Sequence, residues 1–328
     1  MLNRRTFSAL AGVAFAALLA TSAQAQNVTL RSTDIHPTDY PTVEAVRHMG
    51  KLLEERTKGR IKINVFHSAQ LGQEKDTIEQ TRFGVIDMNR INMAPFNNLI
   101  PATNVPSLPF IFRSVEHMRK VMDGKIGDDL LKEFEKHDLI GLAFYDSGSR
   151  SFYNSKKAIN SPADMKGMKI RVQQSDLFVS MIEALGANPT PMPMGEVYTG
   201  LKTGIIDAAE NNYPSYESSR HFEAAKYYTR TEHAMAPEVL VFSKTSWDRL
   251  SKDDQAAIRK AAKDSVPHMR KLWAEREEAS RAIVEKAGTQ IGDVANKQEF
   301  VNAMKPVFAK FANTPKLQGL VQRIQDTK

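Results

Sequence analysis

The sequence predicts an α/β protein of two domains built on similar plans, with a cleft between them. Length supplies the domain count: 328 residues, at roughly 100 to 200 residues per domain, point to two. Strand-like and helix-like stretches alternate along the chain, the pattern of sheets covered by helices. The third observation is an internal echo. Gly72-Gln73-Glu74 opens a helical stretch that ends in Gly84-Val85-Ile86-Asp87, and Gly195-Glu196-Val197 opens another that ends in Gly204-Ile205-Ile206-Asp207. Each copy reads as a helix feeding a buried strand through a glycine turn. Ligands of open parallel sheets sit beyond the carboxyl ends of strands. Just past the two aspartates lie Arg90 and Asn92 in one copy, and Glu210, Asn211 and Asn212 in the other.

Each element follows from local pattern. Val28 to Ser32 alternates as a strand, Pro41 to Thr57 spaces Val43, Val46, Met49, Leu52 and Leu53 as one helical face, and Ile61 to Phe66 alternates again. This β-α-β order implies a parallel pair, with Gly59 closing the helix. A helix follows near Ser114 to His137, then a strand over Ile140 to Tyr145. Ser161 caps a short helix with Pro162 in its first turn, and Gly167 ends it before a strand in which Ile170 and Val172 face one way while Arg171 and Gln173 face the other. The C-terminal third is mostly helical: Ser251 caps a run beginning at Lys252, and Val266 to Ala287 is long enough for a helix spanning both domains, which Pro267 must start or kink. Trp273 is then expected to be buried or at the domain boundary. Arg270, Lys271, Glu275, Arg276, Glu277 and Glu278 read as a solvated face.

Composition excludes several chemistries. Cysteine is absent, which removes disulfides, thiolate metal sites and cysteine nucleophiles. The histidines lie in separate segments without zinc spacing, and neither a Gly-x-Ser-x-Gly elbow nor a glycine-rich phosphate loop occurs. No metal and no cofactor is expected. At the N-terminus, Asn3-Arg4-Arg5 begins a basic region, Ala9 to Ala20 is an uncharged apolar run, and Ala23-Gln24-Ala25 has the form of a cleavage site. The run falls short of the roughly 20 apolar residues of a membrane span, so 1–25 reads as an export signal cleaved after Ala25. Loss of Arg4 and Arg5 lowers the net charge from +7 to +5, and an exported, mildly basic chain with interspersed charges is no candidate for nucleic-acid binding.

The strand at Arg171 carries the strongest chemical signal. A planar guanidinium matches a carboxylate with two parallel hydrogen bonds and never titrates away. Pattern alone leaves open whether Arg171 serves a ligand or a half-exposed surface. Met192, Met194, Phe178 and Met181 read as core or hinge packing, and Tyr213, beside Asn211, as a ring able to stack on a ligand.

The segments Ser161 to Val172, Gly186-Ala187-Asn188-Pro189-Thr190-Pro191-Met192 leading to Glu196-Val197-Tyr198, and Asp207-Ala208-Ala209-Glu210-Asn211 resemble the substrate-binding proteins of tripartite ATP-independent periplasmic (TRAP) transporters. Ser68-Ala69-Gln70-Leu71-Gly72 and Leu108-Pro109-Phe110 extend the likeness over the mature chain. The resemblance implies a two-lobed periplasmic-binding-protein (Venus flytrap) fold with a hinge and a long C-terminal helix. It implies lobe I over 26–147 and 237–276, and lobe II over 148–236 and 277–328. It implies a receptor in the periplasm, not an enzyme, that closes on an organic acid and delivers it to membrane permease subunits. Arg171 falls where the family pairs with the ligand carboxylate, Arg150 where a second arginine stands, and Asn211 where an asparagine orients the carboxylate. On the other lobe His36, Glu74, Arg90 and Asn92 join the expected set, with Gln173 and Tyr213 beside them. Arg90 departs from the acidic residue that some sialic-acid-binding relatives place nearby, which disfavours sialic acid. The runs Val172 to Asp176 and Asn211 to Arg220 look most similar to members that bind hexuronates such as glucuronate and galacturonate. Aldonates, C4-dicarboxylates and an exported hydrolase stand as alternatives.

Overall fold

A computed structural model describes residues 27–328, so the signal read over 1–25 lies outside the described residues. The strands form two sheets. The first contains β1 (Val28–Thr33), β2 (Ile61–Phe66), β3 (Met88–Asn92), β4 (Leu139–Tyr145) and, from late in the chain, β10 (Glu238–Ser243), in the order β2-β1-β3-β10-β4. The second contains β5 (Arg150–Asn154), β6 (Lys169–Val172), β7 (Asn188–Pro191), β8 (Ala208–Asn211), β9 (Tyr227–Ala234) and β11 (Gln290–Asp293), in the order β11-β9-β5-β8-β6-β7. The expected parallel pair is β1 with β2, joined by helix Pro41–Arg56. That helix ends through Gly59, whose φ of 82° lets its N–H reach Glu54 O at 2.7 Å.

The central strands are buried on both faces because each sheet lies between two apolar layers. In β10, Val239 and Val241 enter one layer while Leu240 and Phe242 enter the other. In the second sheet Phe152, Ile170, Val172 and Ala208 share the first of those layers, whereas Tyr153 and Ala209 face a third cluster with Val197, Tyr216 and Tyr228. One continuous apolar core therefore runs beneath both sheets. Each large aliphatic or aromatic side chain buried in it contributes about 1.5 to 3 kcal/mol.

The internal echo is structural. Asp87 Oδ2 accepts from Arg31 N at 2.8 Å while Asp87 N donates to Arg31 O at 3.1 Å. Asp207 repeats the pair with Lys169, at 2.9 and 2.8 Å. Gly84 and Gly204 precede them at φ 76° and 73°, the left-handed region that favours glycine. Thus the same device starts β3 in one sheet and β8 in the other, and Arg90 and Asn92 lie on β3 itself.

Three segments join the sheets: 146–149, 235–237 and helix Lys252–Lys286. The first two are tied together, since Ser147 Oγ donates to Ala236 O at 2.6 Å. The third is one unbroken helix of 35 residues capped by Ser251, with Pro267 inside it rather than at its start. Two of its charges are also not a solvated face. Arg270 bonds Asp123 at 2.8 Å and Asp146 at 3.2 Å, and Arg276 reaches Asp39 at 3.0 Å and Glu217 at 2.6 Å, from one lobe to the other. The tail departs from the expected boundary as well. Helix Pro315–Asp326 buries Leu317 and Ile324 in the shared core, and its Arg323 and the preceding Lys316 pair with Asp129 and Glu133, which precede β4. Residues 315–326 therefore pack with lobe I, because their apolar stripe fits the helices over 104–133.

Candidate ligand-binding site

The carboxyl ends of β1, β6 and β8 and the first residues of β5 and β10 converge on a narrow cavity between the sheets. The lobes are closed over it: Gln173 Nε2 donates to Asn92 Oδ1 at 3.1 Å, Tyr40 OH and Ser215 Oγ lie 2.8 Å apart, and Gly195 N approaches Gln73 Oε1 at 3.4 Å. Larger open grooves on the outer edge of β4 are lined by Lys132, Glu135, Arg259 and Lys263. They lack the buried charges that crowd the cleft.

Strand order builds the wall formed by the second sheet. Because β8 lies between β5 and β6, Arg150, Glu210, Asn211 and Arg171 become neighbours. Arg150 grips Glu210 with Nε to Oε2 at 2.5 Å and Nη2 to Oε1 at 2.8 Å, and its Nη1 donates to Asn211 Oδ1 at 2.9 Å. Burial raises the pKa of Glu210, but the Arg150 charge overrides it and holds the carboxyl down to about 2. Asn211 is thereby fixed, with Nδ2 turned to Met194 Sδ at 3.7 Å. Arg171 differs. It is 3% exposed, and Nε donates to Met192 O at 2.9 Å. Among the described residues its Nη atoms have neither a hydrogen-bond acceptor nor a carboxylate within 4 Å. Burial presses its pKa down, yet a guanidinium stays charged.

The opposite wall is acidic. Arg90 donates from Nε to Asp34 Oδ2 at 2.9 Å, also contacts Asp34 Oδ1 through Nη2, and extends Nη1 to Glu238 Oε2 at 2.7 Å and Glu74 Oε1 at 3.4 Å. Asp34 further accepts from Thr42 Oγ1 at 2.7 Å and from His36 N at 2.9 Å. Asn92 links the group, its Nδ2 donating to Glu238 Oε1 at 2.9 Å. Burial raises the Glu74 carboxyl to about 7 despite Arg90, with Glu238 pushing the same way. His36, stacked on Tyr40 with ring centroids 3.7 Å apart, is driven down to about 3 by burial and by Arg90, and is neutral at pH 7.

Eight of the nine residues read as contacts line this cavity: His36, Glu74, Arg90, Asn92, Arg150, Arg171, Gln173 and Asn211. Arg90 and Arg150 do so with their guanidinium groups already held by protein carboxylates. Tyr213 is the exception. It opens helix Tyr213–Ser218 and stacks on Tyr228 at 4.4 Å, inside the cluster below the sheet. Asn212, already placed past a strand end by the sequence, also lines the cavity, as do Glu238, Ser215 and Met194, which were not read as contacts. Asn212 carries a further signal, since an asparagine two residues before a proline is a helix-cap pattern.

The cleft thus encloses a buried guanidinium without a protein carboxylate within 4 Å among the described residues, and comparison with known proteins identifies the family. Residues 33–314 match the family model of bacterial extracellular solute-binding proteins, family 7. The chain belongs to this family. It is a TRAP solute-binding protein, a receptor rather than an enzyme. A solute-binding protein of Chromohalobacter salexigens is 44% identical over 98% of this chain and 95% of that one. The crystal structure of a TRAP periplasmic solute-binding protein from Bradyrhizobium sp. BTAi1, in complex with α/β-D-galacturonate, is 64% identical, has a TM-score of 0.90, and covers 91% of this chain and all of that one. A TRAP receptor structure from C. salexigens with bound D-glucuronate is 45% identical, with a TM-score of 0.89 and coverage of 91% and 100%.

Proposed function

We propose that this TRAP receptor captures a single hexuronate, D-galacturonate or D-glucuronate, and hands it to the membrane permease. The observation that carries this reading is Arg171, a buried guanidinium in a closed cavity with no protein carboxylate to neutralise it. A ligand carboxylate supplies the missing charge through two parallel hydrogen bonds. The opposite wall supports the sugar part. One arginine there meets three carboxylates, which repel a second ligand carboxylate and accept hydrogen bonds from hydroxyls. That polarity favours a one-ended acid rich in hydroxyls over a C4-dicarboxylate. The ligands in the two related structures are of this class.

Capture is lobe closure. The lobe on the first sheet (27–147, 237–276 and 315–326) and the lobe on the second (148–236 and 277–314) move about 146–149 and 235–237, and contacts from both favour the closed form by differential affinity. Chemistry is not required, so the ligand leaves as it came. The leader over 1–25 sends the chain to the periplasm and is removed after Ala25. Mass determination of the secreted chain tests that point.

A thermal-shift screen of the mature protein against D-galacturonate, D-glucuronate, aldonates, C4-dicarboxylates and sialic acid tests the ligand. A compound at 100 times its Kd stabilises by about 2.7 kcal/mol, so the substrate stands apart. A shift with hexuronates is the expected result, and a larger shift with another acid overturns the uronate assignment.

A further inference from the structure

Beyond the sugar cavity lies a second one, of about 320 Å³. Pro37, Ser68 and Gln73 line it from the first lobe, and Tyr198, Ser219 and His221 from the second. The two cavities share only Ile35, His36 and Met194 as walls. Ile35 and His36 belong to a rigid turn, since the His36 ring is stacked on Tyr40 and its backbone N–H is tied to Asp34. Met194 is the deformable member. Its Sδ faces Asn211 in the inner cavity, the same side chain also borders the outer one, and a thioether on three rotatable bonds is held by no strong hydrogen bond.

The chemistry of the outer cavity is neutral. No arginine, lysine, aspartate or glutamate lines it. Burial holds both of its histidines uncharged, each with its pKa pushed down to about 3. His221 Nδ1 is bonded to Tyr153 OH at 2.7 Å, while His221 Nε2 and Ser218 Oγ are buried polar atoms without a protein partner. A wall of hydroxyls, amide and neutral imidazole suits an uncharged polyhydroxyl group. It offers a second carboxylate nothing to pair with.

We propose that Met194 is the specificity-determining residue that limits the ligand to one sugar-acid unit, and that the pocket behind it fits a neutral glycosyl group once that side chain is removed. This rests on the hexuronate reading. The test is isothermal titration of the wild type and Met194→Ala with D-galacturonate, its methyl glycoside, an aldobiouronate carrying a neutral sugar, and digalacturonate. For the wild type, the aldobiouronate is expected at least about 100-fold weaker than the free hexuronate, which corresponds to about 2.8 kcal/mol. In Met194→Ala that gap narrows to within about tenfold, digalacturonate stays excluded for lack of a second cation, and Met194→Leu keeps the wild-type gap. Adding Ser219→Trp to Met194→Ala fills the outer pocket and restores the gap. A wild type that binds hexuronate and aldobiouronate equally, or an unchanged gap in Met194→Ala, overturns the partition alone. Failure of the wild type to bind any free hexuronate overturns the uronate reading, and the partition with it.

Discussion

The two lobes place opposite charges at the same step of one repeated device. Three residues after Asp87 comes Arg90, and three after Asp207 comes Glu210. In the first lobe a cation is surrounded by Asp34, Glu74 and Glu238; in the second an anion sits with Arg150, and Arg171 stands nearby without a carboxylate. One wall carries surplus negative charge and the other surplus positive charge. The repeat thus teaches how one architecture becomes a polar receptor: the backbone plan is shared, and a reversal of sign at one position gives the two walls opposite surplus charge.

The contrast is broken most severely at Arg171. Two charged hydrogen bonds at about 1.5 to 3 kcal/mol each are lost in Arg171→Ala, so the affinity falls by more than about a hundredfold, while thermal stability holds. Calorimetric titration checks the first and a thermal melt the second. Arg171→Lys should also weaken binding, because one ammonium cannot form the fork; an equal affinity would exclude the bidentate contact. Next come the paired arginines. Arg90→Met leaves buried carboxylates unpaired and should cost about 3 to 5 kcal/mol of stability, measured by urea unfolding. If Arg90 were chiefly a ligand contact, affinity would fall and stability would not.

The two glutamates sharpen the comparison through pH. Glu74 has its folded pKa raised to about 7, so its ionisation opposes the fold. Stability should drop as pH rises from about 4.5 to 7, by at most roughly 3 kcal/mol, and Glu74→Gln should flatten that slope. Glu210, held near 2, does the reverse. Its contribution is present above about 4.5 and disappears as pH falls towards 2. The smallest effect belongs to Tyr213→Phe. It removes a buried hydroxyl without a partner, so stability should stay within about 1 kcal/mol or rise, and affinity for the ligand should not change.

Arg171 was legible in the sequence because Ile170 and Val172, its neighbours on the strand, fix which face it occupies. The glycine-aspartate echo was legible because positive φ and strand starts leave local marks. Pairings across the sheet left none. Glu210 reaches Arg150, 60 residues earlier, only because β8 lies between β5 and β6, and Arg90 draws partners from three separate elements. Tyr213 was misplaced because its position in the first turn of a helix directs the ring to Tyr228. The resemblance put the tail with the second lobe, whereas the apolar stripe of helix Pro315–Asp326 packs on the first, a pairing that no local pattern marks.

The apolar core that continues beneath both sheets has a thermodynamic consequence. Ile91, Val239 and Phe134 from one lobe share it with Phe152, Phe178 and Ile170 from the other, and three segments cross between them. Neither half can be separated from its neighbour without exposing that common interior. Melting should therefore occur as one cooperative transition, with calorimetric and van't Hoff enthalpies equal, and a chain cut at 147 should yield no independently soluble fragment.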